Sequence, residues 1–271
     1  DFVLAVSEGV VTVDRGAQDP ALSPDGSQVV FAVFGKIWVL PIEGGEARQI
    51  TYGLGWDTRP VWSSDGRFLA YAHQLPAGTD LVIHNLATSG SSVIYHTDKE
   101  LGQIAFHNKE GEIYFLLDSS QYDSHLWRIP VEGGQAKQLT FTQDWHEWSF
   151  AFSPDGEKVL LDHGRFGGSD LYLLSVDDLK ATRLTNTPSH EFSVAWSRDG
   201  KTQVYIEADN GIDHVTVKDA EGGSGKRIYS CPYDQKQLAP STLESTAVLC
   251  AGRRLYRLDL KSGRCTPIPF K

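Results

Sequence analysis

SPDGSQVVFAVFGKIWVLPIEGGEARQITYGLGWDTRPVWSSDG, residues Ser23–Gly66, holds one complete unit of this chain and the opening of the next. A Ser-Pro-Asp-Gly turn leads into an alternating segment, QVVFAV, and then into a third segment that sets Ile37 beside Trp38. The pair Gly44-Gly45 reverses the chain into ARQIT, and a short run, PVWS, enters a second turn, SSDG. Asp serves such a turn by bonding its own backbone, and Gly by accepting positive φ. Alternation of apolar and polar residues between turn signals predicts β-strands, here four to each unit.

The unit recurs. Its turn reads SPDG at Ser23–Gly26, SSDG at Ser63–Gly66, NKEG at Asn108–Gly111, SPDG at Ser153–Gly156 and SRDG at Ser197–Gly200, with glycines 40, 45, 45 and 44 residues apart. A decayed sixth copy falls near Leu243–Ser245. Periods of about 40–45 residues belong to propeller blades of four strands, and a chain of 271 residues accommodates six. The predicted fold is all-β: a single six-bladed β-propeller spanning 1–271, four antiparallel strands per blade. Blades are expected near 17–56, 57–100, 101–146, 147–190, 191–234 and 235–271. The segment Phe2–Asp14 is expected to add one or two strands that pair with the last blade and close the ring, removing exposed sheet edges. Trp38, Trp127 and Tyr172 recur on third strands and read as blade-to-blade packing.

Composition narrows the function. Asp and Glu outnumber Lys and Arg 35 to 25, a formal charge of −10. That disfavours nucleic acid or an anionic membrane surface as the main partner, since both reward clustered cations. No apolar run approaches the roughly 20 residues of a membrane-spanning helix, so no membrane insertion is expected. No signal segment is visible at the start, which also lacks Met. Cys231, Cys250 and Cys265 lack metal-type spacing, and their odd number leaves one disulfide or three thiols open.

The pattern SPDG–strand–(I/L)W–GG–(Q/R)LT resembles the β-propeller domain of TolB and its relatives, from Asp19 onward. Ser23–Gly66 is similar to propellers attached to amidohydrolases and tricorn-like proteases. The resemblance implies a periplasmic or secreted setting. It implies architecture more than activity, because such propellers serve many functions.

In a propeller, loops entering the innermost strands meet at one mouth of the channel. Here they read AQDP, GWDTRP, KELGQ, DWHEWSF, SHEFSV and YDQKQL. Asp57, Glu147 and Glu191 lie at equivalent places, with Glu100, His146 and His190 beside them and Trp56, Trp145 and Trp148 as aromatic neighbours. The expectation is that the acids face a common axis and that the mouth binds a protein, peptide or small ligand. The competing reading is structural, with these groups bonding neighbouring blades. Carboxylates about an axis suit a divalent cation such as Ca²⁺, and adjacent His suits Zn²⁺ or Mn²⁺, but no cofactor is required by the sequence. His163 and Arg165, in the loop between strands two and three, are further ligand candidates.

Catalytic signatures fail on inspection. His146-Glu147 and His190-Glu191 lack the second His of H-E-x-x-H, GGSGKR lacks the upstream Gly and following Ser or Thr of a phosphate loop, and no G-x-S-x-G occurs. The leading reading is a non-catalytic binding propeller. The alternatives are a propeller domain that gates substrate in a larger hydrolase, and a metal-dependent enzyme using His146, His190 and the acids.

Overall fold

The computed structural model describes residues 5–7, 10–12, 16–107, 111–120, 123–141, 146–165, 168–231, 237–240 and 245–271. Two N-terminal strands, β1 (Ala5–Ser7) and β2 (Val10–Thr12), precede six four-stranded antiparallel sheets. The first comprises β3 (Gln18–Leu22), β4 (Gln28–Val33), β5 (Lys36–Pro41) and β6 (Arg48–Gln49). The second comprises β7 (Trp56–Trp62), β8 (Phe68–Leu75), β9 (Gly78–Asn85) and β10 (Ser91–Thr97). The third holds β11 (Leu101–Phe106), β12 (Glu112–Ser120), β13 (Asp123–Pro130) and β14 (Lys137–Gln138). The fourth holds β15 (Phe150–Phe152), β16 (Lys158–Arg165), β17 (Gly168–Ser175) and β18 (Ala181–Arg183). The fifth holds β19 (His190–Trp196), β20 (Thr202–Asp209), β21 (Ile212–Asp219) and β22 (Lys226–Cys231). The sixth runs β23 (Gln237–Pro240), β24 (Thr246–Ala251), β25 (Arg254–Asp259) and β26 (Cys265–Pro267). The fold is a six-bladed propeller, each sheet ordered as its strands run in sequence.

Each turn serine does two jobs. Ser23 Oγ donates to Asp25 Oδ1 at 2.6 Å and accepts from Gln28 N at 2.9 Å. The same pair of bonds recurs at Ser63, Ser153 and Ser197. The hydroxyl thereby holds the Asp65 carboxyl down to about 2. Ser63 is buried, so Ser63→Ala strands the Phe68 N–H and is expected to cost about 1–2 kcal/mol, read as a lower denaturation midpoint. Blade three departs from this pattern. There His107 N bonds Glu112 O as Ser23 N bonds Gln28 O, so His107 takes the serine's place and Gly111 falls one position later than the repeat suggests.

The second strand of each blade is covered on both faces, which is why QVVFAV is almost continuously apolar. Six buried clusters mark the six seams. Val30, Ala32 and Ile37 meet Leu69, Tyr71 and Val82 between blades one and two, and Tyr114 and Leu116 meet Phe150 and Leu161 between three and four. Trp38, Trp127 and Tyr172 pack against such clusters, as expected. Fully burying one such side chain contributes roughly 1.5–3 kcal/mol.

Closure by the N-terminal segment is not seen among the described pairings. β1 and β2 pair with each other, Ala5 with Thr12, and the described pairings do not join them to the last blade. The last and first blades share a core of Val248, Leu255 and Ile268 against Val29, Phe31 and Leu40. Gly16 N and Ala17 N donate to Arg253 O, and the C-terminal residues run along blade one, with Gly45 N bonded to Pro269 O and Lys271 N to Gly45 O. Gly44, at φ 89°, lies so close to Pro269 that a Cβ there would meet its carbonyl at 2.4 Å.

Polar residues at or beside the innermost strands link neighbouring blades. Asp19 accepts from Arg59 N at 3.0 Å, Gln103 exchanges bonds with both backbone groups of Phe150, and Ser149 Oγ accepts from Val194 N at 3.1 Å. Asp19, Arg59 and Ser193 hold φ of 51°, 55° and 57° to place these groups.

Candidate binding face

Strand direction puts the Ser-x-Asp-Gly and Gly-Gly turns on one face of the ring. The loops entering the innermost strands, and those joining second to third strands, lie on the other. Asp57, Glu147 and Glu191 sit at that second face, but they are only 1%, 2% and 1% exposed. Ala17 and Leu101, six residues before Ser23 and His107 as Asp57 is before Ser63, are equally buried in blades one and three. The shared position is therefore a core position. Burial leaves these acids little surface for a ligand: each is enclosed with its own partners, and replacing all three strikes the folding core.

Those partners hold the buried acids in place. Asp57 accepts from His73 Nδ1 at 2.6 Å and from Lys36 Nζ at 3.4 Å. Glu147 and Glu191 cap a relay. Leu126 N donates to Thr140 Oγ1, which donates to Glu147 Oε2 at 3.0 Å; Leu171 N donates to Thr185 Oγ1, which donates to Glu191. The threonine closing each (Q/R)LT motif thus ties its loop to the acid. Glu191 also accepts from Thr187 Oγ1 at 3.1 Å. Burial pushes the Glu147 carboxyl up to about 8 and raises Glu191. Burial also drives His163 down to about 4. Its Nδ1, 3.6 Å from Glu147 Oε1, is therefore a neutral imidazole beside a neutral acid at pH 7.

Two groupings emerge at this face. Trp148 joins His146 and His190, stacking on the first at 5.2 Å and meeting the second edge-on at 5.2 Å. His190 Nδ1 contacts Ser169 Oγ at 2.8 Å. Ser169 is buried and gives its proton to Glu191 O, so His190 must donate from Nδ1 and the contact orients the ring rather than activating a nucleophile. The second grouping, on blades one and two, is Trp56, Asp57, Lys36 and His73. Glu100 is exposed and takes Arg59 at 3.1 Å. Trp145 and the side chain of Arg165 lie outside the described residues. Among the described residues no three His, Cys, Asp or Glu are placed to hold a metal ion. Cys231, Cys250 and Cys265 are free thiols, with burial pushing Cys250 up to about 12.

Sequence reading missed His73 and Asp162. His73 pairs across the sheet from Asp57, and the same 16-residue offset links Glu147 to His163 and Glu191 to Glu207. That constant spacing was the available signal. Asp162 is fully buried and accepts from Trp148 N, Ser149 N and Ser149 Oγ at 2.7–2.9 Å.

Exposed apolar groups are unevenly distributed. Seven of the eight exposed large hydrophobics among the described residues are Phe34, Tyr52, Leu54, Trp56, Leu75, Phe141 and Ile212. All seven belong to the loops and strand ends of the mouth face. The eighth, Val93, lies on an outer strand.

The family model for the TolB beta propeller domain matches residues 59–249. The chain is 23% identical over 181 residues to the uncharacterized protein Atu1656 of Agrobacterium fabrum, covering 64% of this chain and 58% of that one. It is 26% identical over 190 residues to dipeptidyl-peptidase 5 of Porphyromonas gingivalis, covering 63% of this chain and 27% of the peptidase. TolB from Acinetobacter baumannii superposes with a TM-score of 0.72 at 17% identity, over 92% of this chain and 62% of its own. The chain thus spans less than two thirds of the length of each. With six blades, the Ser-x-Asp-Gly turns and a family match over most of its length, the chain belongs to the TolB β-propeller family.

Proposed function

We propose that this propeller is a non-catalytic binding module that takes a segment of another protein or peptide on its mouth face. The observation that carries the reading is the gathering of exposed apolar side chains there, Leu54 at 89% and Tyr52 at 72% exposed, while the opposite face is built of polar turns. Large exposed apolar groups concentrated on one face mark interaction sites. The family relationship supports a periplasmic or secreted setting.

The test is selection from a phage-displayed random peptide library on the immobilised protein. Peptides recovered should bind the wild type and lose at least about tenfold in affinity on a Tyr52→Ser/Leu54→Ser/Phe141→Ser variant. Equal affinity for both proteins would sink the assignment of this face.

A second reading makes the ring one domain of a larger hydrolase, where the same face would meet a catalytic domain and gate its substrate. Its support is that the chain matches only 27% of dipeptidyl-peptidase 5. Immunoblotting of source cells separates the two: a band near 29.9 kDa favours the independent module, and a much larger band favours the hydrolase domain.

A further inference from the structure

We infer that β10, the outer edge of blade two, joins two copies of this chain by antiparallel pairing about a two-fold axis at Ser92. The inference is independent of the binding-face reading.

An edge strand exposes a row of N–H and C=O groups, which proteins guard by shortness, charge or Pro. Among the described sheets, all but one outer strand carries such a guard. β6, β14, β18 and β26 have only two, two, three and three residues. β22 has six, but it opens on Lys226 and Arg227. β10 is the exception, with seven residues, SSVIYHT, and no Asp, Glu, Lys, Arg or Pro. It lies at the end of its sheet, and Ser91, Ser92 and Val93 are all exposed.

The register shows which backbone groups lie open. Asn85 N donates to Gly90 O at 2.8 Å in the turn that leads into β10. Ile83 stands opposite Ser92, and His84 opposite Ser91. Antiparallel ladders alternate, so Ser92 bonds β9 while Ser91 and Val93 turn their N–H and C=O outward. A bulge between Val93 and Tyr95 then breaks the row. Beyond it the next blade crowds the strand, since a Cβ on Gly133 would lie 3.2 Å from Ile94 O. The open stretch is therefore Ser91–Val93.

That stretch is its own complement. With the axis at Ser92, Ser91 of one copy exchanges both backbone bonds with Val93 of the other, and the symmetric pair does the same. Ser92 then faces Ser92 across the axis. The strand holds no charged side chain, so the formal charge of −10 lies outside the pairing. A ladder this short makes a weak, concentration-dependent dimer.

Sedimentation velocity over about 10 μM to 1 mM protein is the test. The weight-average mass should climb from 29.9 kDa toward double that value as concentration rises. Ser92→Glu and Ser92→Lys each set like charges directly opposite, and each should weaken association about fivefold. Mixed in equal amounts, the two variants set opposite charges together and should associate more tightly than either alone. Val93→Pro removes an outward N–H without breaking the ladder to β9, and should abolish the dimer. The charge variants, at an exposed position, carry the test even where Val93→Pro disturbs the strand. A wild type that stays monomeric throughout would overturn the proposal. A dimer untouched by both charge variants, or a mixture no tighter than its parts, would also overturn it by moving the contact away from Ser92.

Discussion

Asp162→Ala is expected to lower the free energy of unfolding by about 3–5 kcal/mol. The carboxylate is wholly buried and takes donors that include Trp148 N, Ser149 N and Ser149 Oγ. Ser149 Oγ in turn accepts from Val194 N of the next blade, so the acid also fixes the hydroxyl that bridges two blades. Leaving each buried donor unmade costs about 1–3 kcal/mol, and the loop before β15 loses its anchor. Asp162→Asn keeps an acceptor oxygen and should cost less than half as much. Urea denaturation followed by tryptophan fluorescence reads both. A loss under about 1 kcal/mol for the alanine variant would show that the loop holds without this acid.

The second large effect is a pH dependence assigned to Glu147. Its folded pKa is about 8, raised by burial from 4.5. Between those values the unfolded chain ionises while the folded protein keeps its proton. Stability therefore falls as pH rises through that window, by a few kcal/mol in all. Asp162, raised to about 6 from 3.8, has the same sign but finishes at lower pH. His163, held down to about 4, acts oppositely: it costs stability only as pH drops below about 6.5. The window above pH 7 thus belongs mainly to Glu147. Glu147→Gln mimics the protonated acid and keeps an acceptor for Thr140. The wild-type melting temperature should decline from pH 7 to pH 9 while that of Glu147→Gln declines much less, making the variant relatively more stable at the alkaline end. Parallel curves would remove Glu147 as the source.

The architecture was legible because its signals are local. Ser, Asp and Gly of each turn lie within four residues of one another, and the alternating strands follow at once. The site was harder to read because its geometry crosses strands. The Asp57–His73 contact depends on the register between β7 and β8. Asp162 looks like an ordinary polar residue in KVLLDH until three donors are seen to converge on it. The burial of Asp57, Glu147 and Glu191 could have been suspected from Ala17 and Leu101 at the same repeat position. That alignment requires His107 in the place of serine, which the NKEG motif disguises. Sequence did assign Trp38, Trp127 and Tyr172 correctly, since their recurrence on third strands reports packing directly. It also placed His146 and His190 at one rim, and the structure adds that Trp148 joins them. Among the described residues the N-terminal strands β1 and β2 pair with each other.

Hydroxyl-radical footprinting of the protein with a saturating selected peptide maps the bound surface residue by residue. Protection is predicted at Tyr52, Leu54, Trp56 and Phe141 on the mouth face, with Pro24 and Pro154 in the opposite turns unchanged. Protection of those turns, with the four apolar residues left reactive, would contradict the account and move the binding surface to the other side of the ring.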